Sequence, residues 1–206
     1  VGIKPISNST IKVDNKSLAG KLALRRAILN RFPTRPLKVL DCFAGEGRLW
    51  ETLKREYEVE AYVPIDTSPR QAGTLPGDAM LLVRSVGVDQ FNVIDVDSYG
   101  EPWGALFTCL PLIGQPTCLF ATHGYGKAFA WASSAVRRLL GIPRDWKIPH
   151  GKRLIQWHDD YLLRKTTEFA TIVNAARVRG KNVDYFGLHA EPAPVEQVRE
   201  AMQRLA

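Results

Sequence analysis

The chain has 206 residues, 45% of them hydrophobic and 24% charged, which suits one α/β domain with a sizeable core rather than two. No apolar run approaches the roughly 20 residues of a membrane span and no signal-peptide pattern opens the sequence, so no membrane partner is expected. A formal net charge of +7 points instead to a polyanionic partner, and three cysteines without C-x-x-C spacing (Cys42, Cys109, Cys118) indicate a reducing, cytoplasmic setting rather than a disulfide framework or zinc cluster.

The first fifteen residues read as polar and irregular. Leu18, Leu22, Leu29 and Phe32 then recur at helical spacing, predicting a helix over 16–32 with Lys21, Arg25 and Arg26 elsewhere on its surface. Residues 1–36 form a helical lead-in that Pro33 and Pro36 close. A first strand ends at Asp41 and breaks into a glycine turn, and a helix follows with Leu49, Trp50 and Leu53 on one face. Further strands are expected at 61–65, weakly before Gly77, at 91–97 and at 117–122, with 182–188 as a last one. Helices are expected at 79–86, 128–140, 159–179 and 193–205. This alternation predicts a single doubly wound, mostly parallel α/β sheet over 1–206.

Strand, glycine turn and helix at 37–53 are shared by several cofactor folds. A phosphate-cradling loop needs G-x-x-x-x-G-K-[ST], which is absent, and a dinucleotide fingerprint needs a third glycine where Trp50 stands. The residues present, Asp41, Phe43, Ala44, Gly45 and Gly47, resemble motif I of the S-adenosyl-L-methionine (AdoMet) dependent methyltransferases, whose nucleic-acid branches carry D-x-F-A-G-x-G. The resemblance implies the Rossmann-like class I methyltransferase fold, with AdoMet as cofactor.

In such a sheet ligands collect at the carboxyl ends of strands, where this chain places Asp41, Asp66, Asp78, Asp95 and Asp97 in succession. The resemblance assigns Asp66 to the two ribose hydroxyls, since one carboxylate offers two acceptor oxygens. It assigns Asp78 and Ala79 to the adenine, and Phe43, Ala44, Gly45 and Gly47 to the methionine portion, which Asp41 helps to orient. An acid about 20 residues after a glycine turn also suits a dehydrogenase, so Asp66 alone does not decide.

The segment 92–102 does. Val93, Ile94, Asp95, Asp97, Tyr99, Gly100 and Pro102 resemble V-I-D-x-D-P-[YF]-G-x-P of the tRNA guanine-N2 dimethyltransferase family (Trm1), with Ser98 where that family has proline. The likeness spans about residues 16–125 and implies methyl transfer to an exocyclic base amine. Such an amine is a poor nucleophile, because its lone pair is delocalised into the ring. Hydrogen bonding to a carboxylate localises it. Asp97 is the expected acceptor, with Asp95 and Tyr99 in the same catalytic segment, Tyr99 stacking on a flipped base and Trp103 walling the pocket.

A basic run from 137 to 153 includes Arg144, Lys147, Lys152 and Arg153 beside Trp146, the combination that binds phosphates and stacks on bases. It marks 141–158 as a substrate-side loop, and His123 is a further pocket candidate. His158 beside Asp159 and Asp160 reads as a helix cap, and no metal is expected. Cytosine-C5 chemistry requires a Pro-Cys nucleophile, which is absent, although Cys109 lies in the right region. Sequence therefore predicts a methyltransferase for a nucleic-acid amino group, with RNA guanine N2 favoured. DNA adenine N6 or cytosine N4 is the alternative, and Ser98 motivates a third reading, a non-catalytic AdoMet- or nucleic-acid-binding accessory protein.

Overall fold

The computed structural model describes residues 7–13, 18–98, 102–124, 163–180 and 183–203, with backbone only at 7–13 and 180. The strands are β1 (Ser7–Val13), β2 (Leu37–Cys42), β3 (Val59–Asp66), β4 (Leu75–Pro76), β5 (Val93–Val96), β6 (Thr117–Gly124), β7 (Ala170–Gly180) and β8 (Val183–Pro192). The helices are α1 (Leu18–Leu29), α2 (Arg48–Leu53), α3 (Ala79–Leu82), α4 (Trp103–Cys109), α5 over 163–169 and α6 (Val195–Gln203). All described strands join one sheet in the order β1-β7-β8-β6-β5-β2-β3-β4.

Among the described strands only β8 runs antiparallel to its neighbours, between β6 and β7. The chain leaves β2 outward to β3 and β4, then returns to β5 on the other side of β2. The order of connection reverses at the β2/β5 boundary, and in an open α/β sheet that switch point opens the ligand crevice at the strands' carboxyl ends. The expected doubly wound, mostly parallel sheet is present.

Alternation along the central strands builds two core layers. Leu37, Val39, Val93, Cys118 and Phe120 pack with Leu24, Ile28, Leu29, Trp50 and Leu53 beneath α1 and α2. Leu40, Cys42, Ile94, Val96, Leu119 and Ala121 pack with Trp103, Leu106, Phe107 and Ala201 on the opposite face. Asp41, Asp95 and Asp97 occupy alternate positions that turn them toward α1. That face of the sheet therefore carries acids where the other carries hydrocarbon.

The structure departs from the sequence reading in four places. Residues 170–179, expected to continue a helix, form β7. Thr171, Ile172 and Val173 are stiff at χ1 and suit a pleated surface, and β7 is paired on both sides, with β8 and β1. The N-terminal stretch read as irregular contains β1, which runs parallel to β7. Helix α4 was not expected; it carries six buried residues out of seven. Finally, Arg25, read as a surface residue, is fully buried. The expected helix at 128–140 and the basic loop at 141–158 lie outside the described residues, as do Tyr99, Arg144, Lys147, Lys152 and Arg153.

Arg25 is buried because Asp95 is buried opposite it. Its Nη2 and Nε meet the two Asp95 oxygens at 2.6 and 3.1 Å, and its guanidinium lies 5.1 Å from the centroid of Phe120. Removing one partner of such a pair leaves an uncompensated charge in the core, at a cost of about 3–5 kcal/mol. Arg25→Met should therefore lower the urea midpoint sharply, and Arg25→Lys should recover only part of the loss, because an ammonium cannot make the bidentate contact. Arg26→Met, which breaks the exposed pair with Glu56, should leave the midpoint almost unchanged.

Candidate active site

The glycine turn leaves β2 with Phe43 at φ 69°, Gly45 at 56° and Gly47 at 73°. Three left-handed residues in five reverse the chain tightly, and Phe43 holds a conformation that bulky residues adopt only under constraint. The constraint is visible in the hydrogen bonds. The amides of Phe43 and Ala44 donate to the Ile65 carbonyl at 2.8 and 3.0 Å, and the Gly45 amide donates to Asp66 Oδ2 at 2.8 Å. A Cβ on Gly47 would meet Gln71 Oε1 at 2.1 Å, whereas one on Gly45 would meet nothing within 4 Å. The turn is thus closed at Gly47 and open at Gly45.

Asp66 borders the open side. Besides Gly45 it accepts the Ser68 amide at 2.7 Å on its other oxygen. Each oxygen has two lone pairs, so one acceptor site per oxygen is left, the number a vicinal diol requires. Half-buried Asp66 beside the open Gly45 fits a ribose-bearing cofactor. Asp78 is exposed and caps α3, accepting the Met80 amide at 2.8 Å, and the Ala79 side chain is buried. Asp78 thus acts as a helix cap through one carboxylate oxygen, and Ala79, 1% exposed, is closed to a ligand.

Across the switch point lie Asp41, Asp95 and Asp97. Asp41 and Asp95 are direct neighbours on β2 and β5. Asp41 accepts the Tyr62 hydroxyl at 2.7 Å, and Gln71 Nε2 donates to that hydroxyl at 3.1 Å. Burial and the adjacent Asp95 push the Asp41 carboxyl well above the usual carboxylate range, which favours its neutral form. Asp95 also accepts Trp50 Nε1 at 3.0 Å, so both its oxygens are engaged and none of its surface is exposed. The structure makes Asp95 a positioning group for α1 and α2, with no face open to a substrate.

Asp97 follows the end of β5, its amide on the Cys42 carbonyl and its side chain 17% exposed. Lys21 Nζ lies 2.6 Å from Oδ2, and Thr122 Oγ1 donates to Oδ1 at 2.5 Å. Burial pulls this carboxyl upward, but the charges of Lys21 and Arg25 and the two hydrogen bonds outweigh it, so Asp97 lies below the usual range and stays ionised. Lys21 and Arg25 stand four residues apart and share a helix face. Sequence reading placed both on the surface; an alternating Asp-x-Asp strand end opposite an i, i+4 cation pair was the signal that could have joined them.

Trp103 and His123 lie on the other face and are 1% exposed, with rings 5.4 Å apart. Neither walls an open pocket, because α4 turns Trp103 into the core against Phe107 and Phe186. Cys109 is also fully buried, beside Cys42, whose thiol is pushed up by its hydrogen bond to Cys109 and by burial. A shielded thiol of this kind is no nucleophile.

No family model and no curated protein sequence matches the chain. Its fold is similar to that of Trm1 from Pyrococcus horikoshii, solved with S-adenosyl-L-methionine, at 16% identity and a TM-score of 0.59. That likeness covers 96% of this chain and 61% of Trm1, so the chain spans about three-fifths of that protein's length. It is also similar to 1,6-didemethyltoxoflavin-N1-methyltransferase from Burkholderia thailandensis, solved with its substrate and S-adenosylhomocysteine, at 14% identity and a TM-score of 0.53 over 88% of this chain and 80% of that one. The fold is the Rossmann-like class I methyltransferase fold.

One buried acid was missed altogether. Asp184, paired in register with His123, has the Arg177 and Arg179 guanidiniums 3.9 and 3.5 Å away, yet burial pushes it up to about 7. A carboxyl raised in the folded state binds its proton more tightly there than in the unfolded chain. Its contribution to stability is complete below the unfolded value of 3.8 and is lost as pH rises toward about 7. Wild-type stability measured by urea titration should fall across that window, and Asp184→Asn should flatten the fall.

Proposed function

We propose that this protein is an AdoMet-dependent methyltransferase acting on an exocyclic amino group of a nucleic-acid base, with guanine-N2 methylation of RNA as the favoured reaction. The observation that carries the reading is the pairing, across one switch point, of the open Gly45/Asp66 cradle with the ionised carboxylate of Asp97. AdoMet, when bound, supplies a methyl group made electrophilic by its sulfonium. Asp66 would hold the ribose, the turn from Phe43 to Gly47 would border the methionine portion, and the exposed Asp78 would lie toward the adenine.

Asp97 would accept a hydrogen bond from the amine, localising its lone pair, and receive the proton that the amine gives up. Holding the amine in line with the methyl does most of the remaining work. Support for a base comes from the V-I-D-x-D segment with Tyr99, the cluster of Arg144, Lys147, Lys152 and Arg153, and the likeness to Trm1. A second reading, a small heteroaromatic substrate, draws support from the toxoflavin-precursor enzyme, which shares the fold over most of both chains.

Two measurements check the proposal. Calorimetry should show AdoMet binding to the wild type and at least tenfold weaker binding to Asp66→Ala, since that change removes the diol acceptor and unties Gly45. Labelled AdoMet offered with unmodified tRNA transcripts, DNA and free heteroaromatic amines should deliver methyl to tRNA. Delivery to DNA or only to the small amines would replace the favoured substrate, and unchanged affinity in Asp66→Ala would refute the cofactor assignment.

A further inference from the structure

The charges around Asp97 come in matched pairs. Arg25 faces Asp95, Lys21 faces Asp97, and Asp41 is held toward its neutral form, with Tyr62 donating to it. Among the described residues, the remaining groups against the pair are Thr122 from β6 and the Tyr185 ring from β8, whose centroid lies 5.8 Å from Lys21 Nζ. The carboxylate at the end of β5 is thus ionised, yet its charge is already balanced.

An aliphatic amine is an ammonium ion at neutral pH and is drawn to an uncompensated carboxylate. An amino group on an electron-poor ring is neutral and needs only an acceptor lone pair. A balanced Asp97 offers the second without the first.

We infer that Lys21 is a specificity-determining residue, which neutralises Asp97 so that the site admits neutral ring-borne amino groups and refuses ammonium ions. This rests on the reading of Asp97 as the group that meets the substrate amine. Lys21 also acts as a positioning residue. Its ammonium and the Thr122 hydroxyl fix the carboxylate plane from two sides, leaving a defined lone pair on each oxygen. Arg at position 21 would preserve the charge, whereas Met would keep the length and lose it.

The test uses the full chain with its Asp carboxyl carbons labelled, and follows Asp97 by NMR across acid pH. Lys21→Met should raise the Asp97 titration above its wild-type position, and Lys21→Arg should restore it. In the same samples n-butylammonium should leave the Asp97 signal of the wild type unmoved and shift that of Lys21→Met at neutral pH, with at least a tenfold difference in apparent affinity. With tRNA transcript and labelled AdoMet, Lys21→Met should lose turnover by about tenfold or more and move the acid limb of the kcat profile to higher pH, with AdoMet affinity retained.

An Asp97 titration that stays put in Lys21→Met, or equal butylammonium binding in both proteins, overturns the inference whether or not methyl is transferred. If the titration and ammonium arms behave as expected while the wild type methylates no probe, the charge balance at Asp97 is upheld, and it is the proposed reaction that fails.

Discussion

The buried contact between Arg25 and Asp95 is the constraint on which the rest of the arrangement depends. Two full charges removed from water tolerate little displacement, because every hydrogen bond lost leaves a desolvated ion behind. That contact fixes α1 over the β2/β5 boundary and draws in α2 through Trp50, whose indole donates to the same carboxylate. One helical turn before Arg25, Lys21 then arrives at Asp97 without further adjustment. A structural ion pair in the core therefore aims a second pair at the edge of the crevice.

The crevice divides by chemistry as well as by position. On the β2/β3 side, backbone does the work: positive φ at Phe43, Gly45 and Gly47 opens the turn, and Asp66 ties it down while keeping acceptor capacity for a diol. On the β5/β6 side, side chains do it, with Asp97 held between Lys21 and Thr122. The first half suits a cofactor that varies little, and the second suits a group whose charge must be discriminated. Both open onto the switch point, where an α/β sheet leaves room for a ligand.

Much of this was legible in the sequence. The glycine turn could be read because glycine is the residue that most readily takes φ > 0, and the strands expected up to Asp41 and at 61–65, 91–97 and 117–122, read from short apolar runs, are present as β2, β3, β5 and β6. The helix expected over 159–179 gave way to a strand from 170 onward because pairing with β1 and β8 overrode a local pattern. Asp97 was singled out from its motif. Arg25 and Lys21 were not, since a cation on an amphipathic helix reads as surface until the strand beneath it is known to carry acids. Asp95 and Asp78 were assigned to the site by resemblance, and their hydrogen bonds show one bound to Arg25 and Trp50 and the other capping α3.

The central claim is that the turn at Phe43–Gly47 and Asp66 form one side of a cofactor site whose other side is Asp97. The most direct check is to titrate AdoMet into the labelled protein and follow backbone amide resonances. The account predicts saturable shifts at Gly45, Gly47 and Ser68, together with Asp97 at the opposite wall, while amides of α6 stay fixed. Shifts confined to other parts of the chain, or none at millimolar AdoMet, would contradict it.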